Sequence, residues 1–167
     1  FKGSEDDVLE RFYEAARIFK PKNIVRITGD CPLIDPIIID GLIDHFISKD
    51  IDYASNIWPR TFPTGLDAKI FTFEALERTI NETSSSYNRE HVTPYLRESG
   101  KFKVSNFSNK TDYSELRWTV DWSEDFTLIK NIFEYFHPRS NFSWREVIKL
   151  SRDVPELFQV NSHLVGK

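Results

Sequence analysis

Val25-Arg26-Ile27-Thr28-Gly29-Asp30-Cys31-Pro32-Leu33-Ile34-Asp35-Pro36 is the stretch that decides the fold. It opens on a β-branched, apolar run, which suits a buried strand, and the run stops at Gly29-Asp30. A Pro-bounded turn follows, and Pro36 stands where a helix begins. Strand, turn and helix in this order place a carboxylate at the C-terminal end of a strand. In open α/β sheets, ligands sit in the crevice outside those strand ends. A carboxylate there can hold a divalent cation and, through it, a phosphate.

Outward from this stretch, strands and helices alternate. Upstream, Ser4 and Asp7 predict a capping box for a helix carrying Val8, Leu9, Phe12, Ala15, Ala16 and Phe19 at helical spacing. The strand is expected over 24–28. The helix after Pro36 is expected to bury Ile39, Ile43, Phe46 and Ile47. Short strands are expected at 52–55 and 68–71, joined by a loop over 56–66 that holds Pro59, Pro63 and Gly65. Thr72 predicts a helix cap. A helical pattern over 86–98 contains Pro94, which can bend or split it, and stops at Gly100. Strand-like alternation at 102–104 and 116–120 follows. Two further helices then carry Phe126, Ile129, Ile132, Phe133 and Phe136, and Val147, Ile148 and Leu150, the second behind the capping box Ser143-Trp144-Arg145-Glu146. The alternation predicts an α/β fold with a mostly parallel sheet and flanking helices.

A length of 167 residues suits one domain over 1–167, and 40% hydrophobic residues with 14 Phe can fill its core. A mean hydropathy of -0.45 and the lack of any ~20-residue apolar run argue against a membrane span. Net charge is -4 with no Lys/Arg cluster, which argues against nucleic acid as a partner. The single cysteine excludes an internal disulfide and fits a reducing cytoplasm. The chain begins at Phe1 and contains no Met; it reads as a shortened or internal piece, with loss of the initiator Met alone as the alternative. Phe1-Lys2-Gly3 looks like the tail of a strand.

Two strand-then-Asp junctions carry the candidate chemistry, Thr28-Gly29-Asp30 and Thr119-Val120-Asp121. Mg²⁺ favours one or two carboxylates with water and phosphate oxygens completing its shell. Each Asp taken alone is equally at home as a turn former or helix cap. The loop Pro59-Arg60-Thr61-Phe62-Pro63-Thr64-Gly65-Leu66-Asp67 can read sugar hydroxyls or serve as a plain crossover. Arg89-Glu90-His91 offers phosphate or sugar contacts, or a solvated helix start. Cys31 has no basic neighbour in sequence and reads as a buried, inert thiol.

Taken in order, five segments resemble the cytidylyltransferases that activate acidic sugars. The branch is that of spore coat polysaccharide biosynthesis protein F, related to the acylneuraminate and keto-deoxyoctonate cytidylyltransferases. The segments are Gly3-Ser4-Glu5-Asp6-Asp7-Val8-Leu9-Glu10-Arg11, Arg26 through Pro36, Pro63-Thr64-Gly65-Leu66-Asp67, Arg89-Glu90-His91-Val92-Thr93-Pro94-Tyr95, and Leu116-Arg117-Trp118-Thr119-Val120-Asp121 with Glu124-Asp125. The resemblance implies a nucleotide-diphospho-sugar transferase-like (Rossmann-like) fold, with Asp30 and Asp121 as Mg²⁺ ligands and catalytic residues. It implies substrate contacts from Gly29, Gly65, Asp67, Arg89 and His91, with CTP and a sugar as substrates and pyrophosphate as product. The family's N-terminal nucleotide-binding unit, with its basic triphosphate loop, has no counterpart after Phe1. Trp122 and Ser123 stand where the family more often shows small residues or Pro. An unpaired strand edge would favour a homodimer. A metal-dependent glycosyltransferase and a non-catalytic nucleotide-sugar or partner-binding domain are the alternative readings.

Overall fold

In the computed structural model, which describes residues 2–166, α1 (Val8–Phe19) leads into the first strand. Its cap is Asp7, not Ser4: the Asp7 carboxylate accepts from the Glu10 N–H at 2.9 Å, while the Ser4 hydroxyl accepts from Asp7 itself at 3.2 Å. Asp7 and Ser4 both suit a helix start, and the box spacing favoured the wrong one of the two. Phe1 lies outside the described residues, and Lys2 and Gly3 lie in no strand. Lys20, in the left-handed conformation, ends α1 early enough that Phe19 points to solvent at 79% exposure.

The remaining elements are β1 (Asn23–Arg26), α2 (Pro36–Ile47), β2 (Tyr53–Ser55), β3 (Lys69–Thr72), α3 (Phe73–Glu82), α4 (Ser86–His91), α5 (Pro94–Glu98), β4 (Val104–Asn106), α6 (Ser123–Phe136) and α7 (Trp144–Asp153), with a 3₁₀ stretch over Pro155–Leu164. Pro94 does split the 86–98 helix: Val92 takes a φ of 69° between the two pieces. No helix among the described residues is long and apolar enough to cross a membrane.

The sheet runs β1-β3-β2-β4. It is mixed, not mostly parallel: β3 lies antiparallel to both β1 and β2, and only β2 and β4 are parallel. The reason is the connection. No helix interrupts residues 56–68, and a parallel return beside β2 would need a long crossover. Without one, β3 comes back antiparallel, with Ile70 opposite both Val25 and Ala54.

The chain forms two compact units. The first takes residues 2–26, 42–55 and 69–106, and so holds the whole sheet. Its core is Leu9, Ala16, Tyr53, Phe71, Ala75, Leu76, Val92 and Leu96. The second takes residues 27–41, 56–68 and 107–166. Its core gathers Leu33, Phe62, Leu66, Trp118, Leu128, Ile132, Trp144 and Val147 with their neighbours.

Two helical faces are rotated from expectation. In α2 the buried positions are Ile38, Leu42 and Phe46, with Ile47 exposed. In α6 they are Asp125, Leu128, Ile129 and Ile132, with Phe126 exposed. Residues 116–120, expected as a strand, form none. They pair piecewise: Thr64 and Arg117 form an isolated parallel bridge, and the Val120 N–H donates to the Asp30 carbonyl at 2.9 Å.

Candidate active site

The strand expected to run to Thr28 ends at Arg26, and the chain then makes consecutive tight turns. Cys31 N–H donates to the Thr28 carbonyl at 3.3 Å and Ile34 N–H to the Cys31 carbonyl at 3.1 Å. These turns hold Asp30 half-buried. Burial pushes its carboxyl pKa up, but hydrogen bonds from Thr28, its own backbone, Cys31 and Thr119 outweigh burial and hold it below the ordinary carboxylate value. The Thr119 hydroxyl lies 3.1 Å from the Asp30 carbonyl and 3.4 Å from Oδ2. Asp30 is thus kept ionised. Cys31 is buried, and burial raises its thiol pKa, so it remains a neutral donor 3.7 Å from Asp30 Oδ1.

Asp121 follows Val120, whose N–H is bound to Asp30, so the two aspartates stand on hydrogen-bonded segments. The Asp121 side chain is 48% exposed, and one oxygen accepts from Arg117 Nη2 at 2.7 Å. Arg117 itself is buried. Its Nε and Nη2 donate to the two oxygens of Asp125 at 3.0 and 2.9 Å. Asp125 is fully buried and also accepts from the backbone N–H of Asp121 at 3.1 Å, from that of Trp122 at 3.2 Å and from Asn161 Nδ2 at 2.8 Å. Burial raises the Asp125 pKa, yet these donors, Arg117 first, pull it down to about 2. Asn161 donates as well to the Arg117 carbonyl, at 3.0 Å.

The other expected site residues have partners in the protein. Gly65 adopts a φ of 101°, and a Cβ there would lie 2.4 Å from the Trp118 carbonyl carbon. Asp67 forms a two-pronged pair with Arg60 at 2.5 and 2.8 Å. The loop between them is braced by Asn56, which donates to the Leu66 carbonyl at 2.6 Å and accepts from Ala68 at 2.9 Å. Arg89 belongs to the first unit, where its Nε binds the cap residue Asp7 at 2.5 Å. His91, in the same unit, is exposed, with its ring edge-on to Tyr87. Over Gly29, by contrast, a Cβ would meet no protein atom within 4 Å.

Sequence reasoning singled out neither Arg117, Asp125 nor Asn161 as a site residue. Asp125 had a readable signal: it is the third residue of a helix that starts just after Asp121, where an acidic side chain reaches back to the cap N–H. Asn161 lies in the 3₁₀ stretch, and nothing local marks it.

This is an α/β architecture with a mixed sheet, flanking helices and two aspartates, Asp30 and Asp121, on hydrogen-bonded segments. The match of residues 1–157 to the cytidylyltransferase family model places the chain in that family, and it belongs there. A solved cytidylyltransferase structure from Leptospira borgpetersenii superposes with a TM-score of 0.90 at 36% identity, over 95% of this chain and 68% of that one. An uncharacterised protein of Methanocaldococcus jannaschii is 34% identical over 170 residues, covering 100% of this chain and 68% of its own length. The spore coat polysaccharide biosynthesis protein SpsF of Bacillus subtilis is 29% identical over 161 residues, covering 93% of this chain and 65% of its own length. The chain therefore spans about two thirds of the length of these relatives.

Proposed function

We propose that this chain serves the transfer of CMP from CTP to a sugar, with release of pyrophosphate, in the synthesis of glycan precursors. The observation that carries the reading is the Asp30 turn: a carboxylate held ionised and bonded through its own carbonyl to the segment that bears Asp121. Family membership and the likeness to SpsF supply the substrate class. A sugar oxygen would attack the α-phosphorus in line, forming one P–O bond as the bond to pyrophosphate breaks. Positioning and charge stabilisation dominate such a transfer.

The donor set suits Mg²⁺. Asp30 and Asp121 offer hard carboxylate oxygens, and the nearby Cys31 stays a neutral thiol. Among the described residues no cluster of three or more His, Cys, Asp or Glu could hold a metal by itself. Two carboxylates with phosphate oxygens and water are what Mg²⁺ commonly takes. When bound, Mg²⁺ supplies charge neutralisation and alignment of the phosphates. The residues do the rest: Asp30 and Asp121 hold it, and the open face over Gly29 admits the ligand. Gly65 and Asp67, in the same unit as the two aspartates, fix the loop that carries them. A reaction that consumes CTP belongs in the cytoplasm, and an exposed strand edge at β1 suits a homodimer.

The test is pyrophosphate release from CTP and sugar by the complete protein. Asp30→Ala or Asp121→Ala should lower the rate by at least a hundredfold, several kcal/mol of transition-state stabilisation, with folding retained. Either variant working near the unsubstituted rate would remove its aspartate from the mechanism.

A further inference from the structure

We propose that Arg117, Asp125 and Asn161 form a buried counter-charge behind Asp121 that sets how strongly the Asp30–Asp121 pair holds a divalent cation. The inference rests on the cation site proposed above. Arg117 Nη2 is shared between a fully buried carboxylate, Asp125, and a half-exposed one, Asp121. A guanidinium beside a cation ligand is in itself a competitor, because its charge already occupies the carboxylate. Asp125 changes that. It takes Nε and Nη2 of Arg117 in a two-pronged pair and draws the positive charge inward. Arg117 is thereby shared between an inward carboxylate and the outward one that faces the cation site.

The same carboxylate fixes geometry. Its Oδ2 accepts from the backbone of Asp121 and Trp122, so the turn that aims Asp121 is tied to the group that balances Arg117. Asn161 completes the arrangement from a distant stretch of chain, donating to Asp125 Oδ1 and to the Arg117 carbonyl. With Asp125 neutral, the guanidinium charge beside Asp121 would lose this offset and oppose the cation. Arg117, Asp125 and Asn161 are therefore positioning residues; none needs to touch substrate.

Mn²⁺ titration of the complete protein, followed by the paramagnetic resonance of the free ion, tests this, with far-UV dichroism as the check on folding. Asp125→Asn should weaken Mn²⁺ binding at least tenfold. The double variant Arg117→Gln/Asp125→Asn removes competitor and counter-charge together and keeps hydrogen-bonding side chains of similar shape. It should recover affinity to within about threefold of the unsubstituted protein, a rescue that a merely structural role would not produce. Should Asp125→Asn fail to fold, the double variant carries the test alone: near-normal affinity supports the counter-charge, and tenfold weaker binding overturns it. Normal binding by folded Asp125→Asn, or a double variant as weak as the single one, also overturns it. Asp121→Asn separates this from the parent reading. Mn²⁺ binding that survives Asp121→Asn, or that is absent from the unsubstituted protein, overturns the cation site itself.

Discussion

Gly29 and Gly65 carry the same expectation from sequence, contact with substrate, and the structure gives them different physical standing. Gly65 is held at a positive φ with the Trp118 backbone against its Cα, so Gly65→Ala should cost about 2 kcal/mol or more. Gly29 has open space beside it and an ordinary φ, so Gly29→Ala should leave stability within about 1 kcal/mol while raising the KM for CTP. Urea unfolding checks the first pair of numbers and steady-state kinetics the last. Asp125 makes a second prediction at this scale. Its folded pKa of about 2 lies below the ordinary 3.8, so its contribution to stability is complete above about pH 4 and lost as pH falls through about 2. For so buried a group this amounts to about 2 kcal/mol. The stability of the unsubstituted protein should fall more steeply over that window than that of Asp125→Asn, as read by denaturation midpoints at each pH.

At the scale of elements, legibility depended on whether the deciding contact was local. Ser143 and Glu146 announce α7 within four residues, and both halves of the box form: Ser143 Oγ accepts from Glu146 N–H at 3.3 Å, and Glu146 accepts from Ser143 N–H at 2.8 Å. Ser143→Ala should therefore cost about 1 kcal/mol, measurable by thermal unfolding. Thr72 and Pro36 were legible for the same reason. The 116–120 segment misled because its sequence alternates apolar and polar while its burial does not: Arg117, Trp118 and Thr119 are all buried. What the alternation hides is that Arg117, on the supposedly outward face, is buried too, against an aspartate that the sequence places eight residues away. The antiparallel β3 was within reach of the sequence. Residues 56–68 contain no helical pattern, and that alone disfavours a parallel return to the strand before it. Asp30 and Asp121 stand out in the sequence because each follows a short apolar run. Asn161, which donates to Asp125, does not, since it comes from a stretch with no periodicity to read.

At the scale of the whole molecule, the described sheet ends at β1 on one side, and β1 pairs only with β3 among the described residues. Val25 at that edge is 37% exposed. In the same unit, Ile18 and Phe19 at the end of α1 are 65% and 79% exposed. Soluble proteins blunt such edges with charge, because an open edge beside apolar side chains recruits another strand. The one charged residue of β1, Arg26, has its guanidinium over the Phe12 ring at 5.9 Å. The chain is thus expected to self-associate through this side as concentration rises. Sedimentation velocity should show a dimer that dissociates on dilution. Val25→Lys, which puts a charge on the edge strand, should shift the protein to monomer, with far-UV dichroism confirming that it stays folded. A monomer at every concentration, or a dimer indifferent to Val25→Lys, would show that β1 is not where copies meet.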